Sequence, residues 1–339
     1  MEPYKELEVE FAKLYGMDPD NVVACSSGTA ALHLGMEAMM LPLYSRVIIP
    51  DYTMVACARA VTLAGHFPVF MDCLDNLLIS PEETNTFLYN RLHDRSRVDP
   101  FPNVIMAVHV YGRYCDMDAF DKIRHEYKMI LIEDLAECHG IRPHHSTDVA
   151  CWSFYKNKIV HGEEGGMVYF RNKFFAKRAR SLRSLGFTEQ HDFLHHPRGH
   201  NYRLANCLAE LILPSLLLLP ENLARRREIE KVYNVYCPDT WRMPHRDVVW
   251  VYDLKLPKAT IEEKNAVVAK LNSEGIQARN GFVPMTLQPE YYKKDHKSSV
   301  AHKCHREILY LPVQPGVTTE DDIIRAFSIM HTMRQELGF

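Results

Sequence analysis

Lys158 stands in SFYKNKIVHGEEGG (153–166), between an aromatic, strand-like run and a segment with three glycines. A solvated surface lysine is inert. One held where burial disfavours its charge can lose its proton, attack a carbonyl carbon and afterwards carry a proton. Other stretches hold groups suited to such chemistry. MILIEDLAECHG (129–140) is a strand-like run ending in Glu133-Asp134, at the edge where doubly wound sheets bind ligands. A carboxylate there can hold a metal, act as a base, cap a helix or pair with a cationic ring nitrogen. CSSGTAALHL (25–34) sets Ser-Ser-Gly-Thr between a strand and a helix. The free N–H groups of that helix suit an anion such as phosphate, or are simply capped. In HVYGRYCDMD (109–118), His109 reads as a satisfied core residue.

The elements that must position these groups alternate regularly. VVACSS, SRVIIP, FPVFMD, NVIMAVHVYG, KMILIED, DVACWSFY and GGMVYF read as strands, and GTAALHLGMEAMM, TMVACARAVTLAG and MDAFDKIRHEY as helices among them. Short Val/Ile-rich runs separated by helices predict an α/β fold with a mostly parallel sheet and crossover helices. One long helix is expected from about Leu208 to Tyr233. After it come VVWVYDLKL, IEEKNAVVAKLNSEG, IQARNGFV and EDDIIRAFSIMHTMRQEL, read as strand, helix, strand and helix of a smaller α+β domain. The expected division is 1–215 for the large domain and 216–339 for the small one.

Composition bounds the function. The 339 residues are 47% hydrophobic and 24% charged, with a formal net charge of −3, so a large core is available and no general attraction to nucleic acid or anionic membrane is expected. The basic run ARRREIEK reads as a solvated helix face, and LAELILPSLLLLP is too short to cross a bilayer. The N-terminal MEPYKELEVEFAKLYG has neither a signal-peptide nor a membrane-span pattern. Nine cysteines without CxxC spacing predict reduced thiols in a cytoplasm and no metal site.

Taken in order, SSGTAAL, IIPDYTMVA, PVFMD, VHVYG, LIEDLAECHG, SFYKNK, GEEGG and GHNYRL resemble the DegT/DnrJ/StrS family of sugar aminotransferases dependent on pyridoxal 5′-phosphate (PLP). EGIQARNGFVPM and REILYLPVQPGVTTEDDI resemble the small domain of members that make 4-amino sugars, the perosamine synthases among them. The resemblance runs from about Tyr4 to the C-terminus and implies the fold type I architecture of PLP-dependent transferases. It makes Lys158 the residue that condenses with the aldehyde of PLP and then acts as acid and base. Asp134 becomes the partner of the pyridine nitrogen. Gly28, Thr29 and Ser153 hold the phosphate, and Glu137 lies near the ring hydroxyl. Asn201, with Arg203 beside it, is lent to the phosphate of a neighbouring subunit, which implies a homodimer with shared active sites.

The implied activity moves an amino group from L-glutamate, through pyridoxamine phosphate, to a keto group of a nucleotide-linked 4-keto-6-deoxy sugar. Several positions depart from the pattern. Met54 occupies the place of an aromatic residue that usually covers the ring, with Tyr52 two positions earlier. An N-terminal stretch that usually precedes YKELEVEFAKLYG is missing, GIRPHHSTDVACWSFY is shorter than the usual link, and GEEGG is preceded by His161. Two other readings fit the sequence: a PLP enzyme acting on an amino acid or other amine by decarboxylation or transamination, and a non-catalytic relative that keeps the fold.

Overall fold

A computed structural model describes residues 2–94, 96, 100–188, 193–196, 198–292 and 299–338. Along the chain run α1 (Pro3–Tyr15), β1 (Val22–Cys25), α2 (Gly28–Ala38), β2 (Arg46–Pro50), α3 (Val55–Leu63), β3 (Phe67–Met71), α4 (Pro81–His93), β4 (Val104–Val108), α5 (Met117–Tyr127) and β5 (Ile130–Asp134). Then come β6 (Val149–Ser153), β7 (Gly166–Phe170), α6 (Lys173–Arg183), α7 (Asn206–Leu217) and α8 (Leu219–Tyr236). The chain ends with β8 (Tyr252–Lys255), α9 (Ile261–Ser273), β9 (Arg279–Asn280), α10 (Ser299–Glu307), β10 (Ile308–Leu311) and α11 (Glu320–Leu337).

Seven strands form one sheet in the order β1-β7-β6-β5-β4-β2-β3. Pairing is parallel from β6 through β3, and β7 runs antiparallel to both its neighbours. The α/β architecture with a mostly parallel sheet is therefore as expected. The central strands are buried along their whole length, as strands with helices on both faces must be. Their carboxyl ends lie along one edge, so Val108, Asp134 and Ser153 arrive there together, beside the β1–α2 turn.

A three-stranded sheet, β8-β10-β9, packs with α9 and α11 around a second buried cluster that includes Trp241, Tyr252, Leu309 and Phe327. Capping boxes at Thr260 and Thr319 start both helices. An ion network joins this region to the large sheet. Arg113, in the turn after β4, pairs with Asp253 at 2.9 Å and donates to it at 3.2 Å, and Arg246 donates to the same carboxylate at 2.7 Å and to Glu230 at 3.0 Å. Burial alone would raise the Asp253 carboxyl, but the two guanidiniums hold it below its ordinary value of 3.8.

Three expected elements differ. The long helix from Leu208 to Tyr233 is two helices bent by 62° at Leu218, where Pro220 opens α8 and can continue no hydrogen-bond ladder from α7. Of VVWVYDLKL only Tyr252–Lys255 is strand. Val248 N–H bonds Gly112 instead, and the Trp250 carbonyl accepts from Arg226. Of IQARNGFV only Arg279–Asn280 pairs, because the N–H of Phe282 is held by the hydroxyls of Tyr52 and Tyr111. No single described helix is long and apolar enough to cross a membrane.

Candidate active site

The carboxyl edge of the large sheet borders a cavity of about 560 Å³. Gly28, Thr29, Met54, Asp134, Glu137, Ser153 and Lys158 all line it, so seven of the eight site residues expected from the sequence meet in one place.

Lys158 is held by a compact turn after β6. Its N–H bonds the Tyr155 carbonyl, and Gly162 N–H returns to Phe154. Its side chain is 12% exposed, and Nζ lies 3.3 Å from Glu137 Oε1 and 4.1 Å from the centroid of the Trp250 ring. Trp250 is fixed in turn by its indole N–H, which donates to the Asn157 carbonyl at 2.7 Å. Glu137 accepts the Tyr111 N–H at 2.8 Å through its other oxygen. Burial holds the Glu137 carboxyl above its ordinary value of 4.5, with Asp134 adding to the rise while Lys158 and the Tyr111 N–H oppose it.

Asp134 is nearly buried, and both its oxygens are engaged from behind. The Ala136 N–H donates to Oδ1 at 3.0 Å and the Cys57 thiol to Oδ2 at 3.1 Å. Burial, reinforced by Asp134, pushes the Cys57 thiol well above its usual range, so it stays protonated as a donor. The neighbouring Glu133 points away, because successive residues of a strand face opposite sides. It accepts from the His144 N–H and the Thr147 hydroxyl and pairs with His109 Nε2 at 2.9 Å. The Cys115 N–H donates to His109 Nδ1, so both ring nitrogens are occupied and His109 is the satisfied core residue expected.

The β1–α2 turn is built to bring backbone close. Ser27 caps α2, its hydroxyl accepting the Ala30 N–H and its carbonyl the Ala31 N–H. The N–H groups of Gly28 and Thr29 are the other two at this helix start, and both residues border the cavity. A Cβ on Gly28 would lie 2.6 Å from Ser153 Cβ, and one on Gly166 would lie 2.3 Å from the Ser27 carbonyl oxygen. Gly166, the last residue of GEEGG, thus lets β7 pack directly against the turn. Asn201 and Arg203 are exposed and border a separate hollow with Tyr4 and Arg183, away from Lys158 of their own chain. Met54 is half exposed at the cavity mouth, whereas Tyr52 is fully buried and holds Phe282 N–H.

Sequence reasoning missed Cys57, Trp250, Phe282 and Tyr310. Cys57 follows Met54 by three residues, one turn into α3, which was the available signal; the other three come from strands and loops far along the chain. A second hollow of about 460 Å³ adjoins the first and shares Asn157, Lys158, Trp250 and Tyr310 with it. Lys156, Arg226 and Arg279 give it a cationic lining.

Comparison with known proteins gives this arrangement a family. The DegT/DnrJ/EryC1/StrS aminotransferase family matches residues 2–328. GDP-perosamine synthase of Caulobacter vibrioides is 31% identical over 342 residues, covering 96% of this chain and 88% of that protein. The dTDP-4-dehydro-2,3,6-trideoxy-D-glucose 4-aminotransferase of Saccharopolyspora spinosa is 30% identical over 339 residues, covering 92% and 84%. The crystal structure of the aminotransferase TlmJ from Streptoalloteichus hindustanus superposes with a TM-score of 0.85 at 24% identity, covering 99% of this chain and 92% of that one. With the match spanning both sheets and the Lys158 cavity between them, the chain belongs to the DegT/DnrJ/EryC1/StrS aminotransferase family.

Proposed function

We propose that the protein transfers an amino group from L-glutamate to a keto carbon of a nucleotide-linked sugar, with PLP as the carrier. The observation that carries this reading is Lys158 and Asp134 lining one cavity, above a turn that only glycine permits. The residues present fit the cofactor. The Gly28 and Thr29 N–H groups, the Thr29 hydroxyl and the Ser153 hydroxyl would hold its phosphate at a helix start, where an anion is favoured. Asp134 would hold the protonated pyridine nitrogen, and Met54 would cover the cavity mouth with a polarisable sulfur.

Bound PLP supplies an aldehyde that accepts amines and a ring that withdraws electrons from the carbon next to the nitrogen. The chain supplies the rest. Cys57 and the Ala136 N–H fix both oxygens of Asp134, so its charge stays aimed into the cavity. Glu137 and the Trp250 ring hold the amine of Lys158 from two sides, and this amine takes and returns the proton at the reacting carbon. The aromatic wall of Trp250, Phe282 and Tyr310 excludes water from that proton transfer.

The sugar nucleotide is assigned to the adjoining cationic hollow, where Lys156 and Arg279 suit a diphosphate and open directly onto Lys158. Two of the relatives described above are named for GDP-linked and dTDP-linked sugar products or substrates, which supports this acceptor class. Exposed Asn201 is assigned to the phosphate turn of a second copy, in a homodimer.

The test is the visible absorption of the purified protein before and after L-glutamate. A yellow protein that bleaches on addition, and a Lys158→Ala variant that never acquires the lysine-bound absorption, are the expected results. A wild-type protein that cannot be reconstituted with PLP would overturn the reading.

A further inference from the structure

Outside the Lys158 cavity, three metal-capable side chains converge. His33 and Glu37 stand four residues apart on α2 and therefore share a face of it. His200, in the segment leading to Tyr202, closes on them, and one ligand atom from each of the three lies within 4.8 Å of the others. His200 Nε2 is 2.5 Å from Glu37 Oε2, and His33 Nε2 is 4.0 Å from the same oxygen. His33 is 3% exposed and its Nε2 has no hydrogen-bond partner. Its Nδ1 meets the Tyr202 hydroxyl at 3.2 Å. With that hydroxyl accepting from Nδ1, Nε2 carries a lone pair turned towards Glu37. A metal-binding histidine ordinarily donates its other ring N–H to a polar acceptor, and the Tyr202 hydroxyl is placed to be that acceptor for His33. His66, also buried and within electrostatic range of Glu37, has an unpartnered Nδ1 beside the same group.

We propose that His33, Glu37 and His200 bind one divalent transition-metal ion through the two Nε2 atoms and a Glu37 carboxylate oxygen. Two imidazoles and one carboxylate suit zinc, cobalt or nickel better than magnesium or calcium, which prefer all-oxygen sets. Ligand atoms bound at about 2.0–2.1 Å lie closer together than they do here, so the group must contract. His200 can do so, because its side chain is 27% exposed and its ring, hydrogen-bonded to Glu37, already packs against His33 and Tyr202. Arg198 lies 3.6 Å from Glu37 Oε1 and competes with the ion, but it is more than half exposed and free to swing outward.

The ion would tie α2 to the segment carrying Asn201 and Tyr202. The Tyr202 carbonyl accepts the Ser26 N–H at 2.8 Å, immediately before the Ser27-Gly28-Thr29 turn. Metal binding would thus brace that turn from its outer side, independently of which substrate the Lys158 cavity takes.

The experiment titrates tag-free, chelator-treated protein with Zn²⁺ in competition with a chromophoric chelator. One ion per chain is expected. Glu37→Gln and His200→Phe should each weaken binding by at least about tenfold, while Cys207→Ser, which removes the exposed thiol, should leave it unchanged. Arg198→Gln removes only the competing cation and should tighten binding, which keeps the test decisive if a ligand variant folds poorly. Absence of stoichiometric zinc, or equal affinity in wild type, Glu37→Gln and Arg198→Gln, would overturn the site.

Discussion

Gly28→Ala tests the geometry of the phosphate turn directly. The added Cβ would sit 2.6 Å from Ser153 Cβ and 2.9 Å from Ser153 Oγ, with Ser153 Cα at 3.2 Å. Carbon atoms in favourable contact are about 3.5–4.0 Å apart, so the turn and β6 must separate by roughly 1 Å. Overpacking of this kind costs about 1–3 kcal/mol. Alanine is also the better helix former, by up to about 1 kcal/mol, and Gly28 is the first residue of α2. With the full offset the net loss expected in apoprotein stability is about 0–2 kcal/mol. The displaced N–H groups should cost PLP affinity about tenfold, since each factor of ten corresponds to about 1.4 kcal/mol. Denaturant unfolding of the apoprotein and PLP titration by absorbance read the two effects separately. Ser153→Gly removes the two nearest atoms in conflict and leaves only Cα at 3.2 Å, so the double variant should recover part of the stability but not the affinity, because the Ser153 hydroxyl is gone. A Gly28→Ala protein with wild-type unfolding midpoint and wild-type PLP affinity would refute the reasoning, since the turn would then have room that the close approach to Ser153 denies.

Lys158→Ala should abolish transamination while the protein stays folded, because only one partly buried side chain is removed; measurable turnover in this variant would contradict its role. Cys57→Ala removes the buried thiol donor to Asp134 and should lower both PLP affinity, by roughly tenfold, and the unfolding midpoint, as one charge-assisted hydrogen bond contributes about 1.5–3 kcal/mol. Asp253→Asn leaves Arg113 and Arg246 buried without their anion and should destabilise the fold by about 3–5 kcal/mol in denaturant titrations. The sign of its pH dependence follows from a depressed carboxyl: its stabilisation is fully present above the ordinary value of 3.8 and is lost as pH falls through the lower folded value. Acid unfolding curves of wild type should therefore fall more steeply below that value than those of Asp253→Asn.

What the sequence discloses and what it hides divide along physical lines. The strands of the large sheet are legible because burial on both faces demands unbroken Val/Ile runs, as in VIMAV of β4 and ILIED of β5. Helices α4 and α6 were not among the expected elements, although Ser80-Pro81 and Asn172 mark their starts; α4 lacks a strong apolar stripe, and the buried face of α6 is made of the small Ala176 and Ala179 with Leu182. The stretches that failed as strands, 248–251 and 282–283, are those whose backbone groups leave the ladder beside the cavity. Trp250 and Phe282 border the Lys158 cavity by that route, and Tyr310 borders it from β10, so a period-2 pattern could not have marked the first two as site residues. Asp134, Glu137 and Lys158, by contrast, sit at fixed short distances from strand ends, where local sequence dictates position. Asn201 shows the remaining limit. It lies on the surface with Arg203, and the role proposed for it depends on a second chain, which no periodicity within one chain encodes. The Ser26–Tyr202 hydrogen bond nevertheless places its segment directly behind the phosphate turn. Any contact that orders residues 200–203 therefore acts on that turn as well.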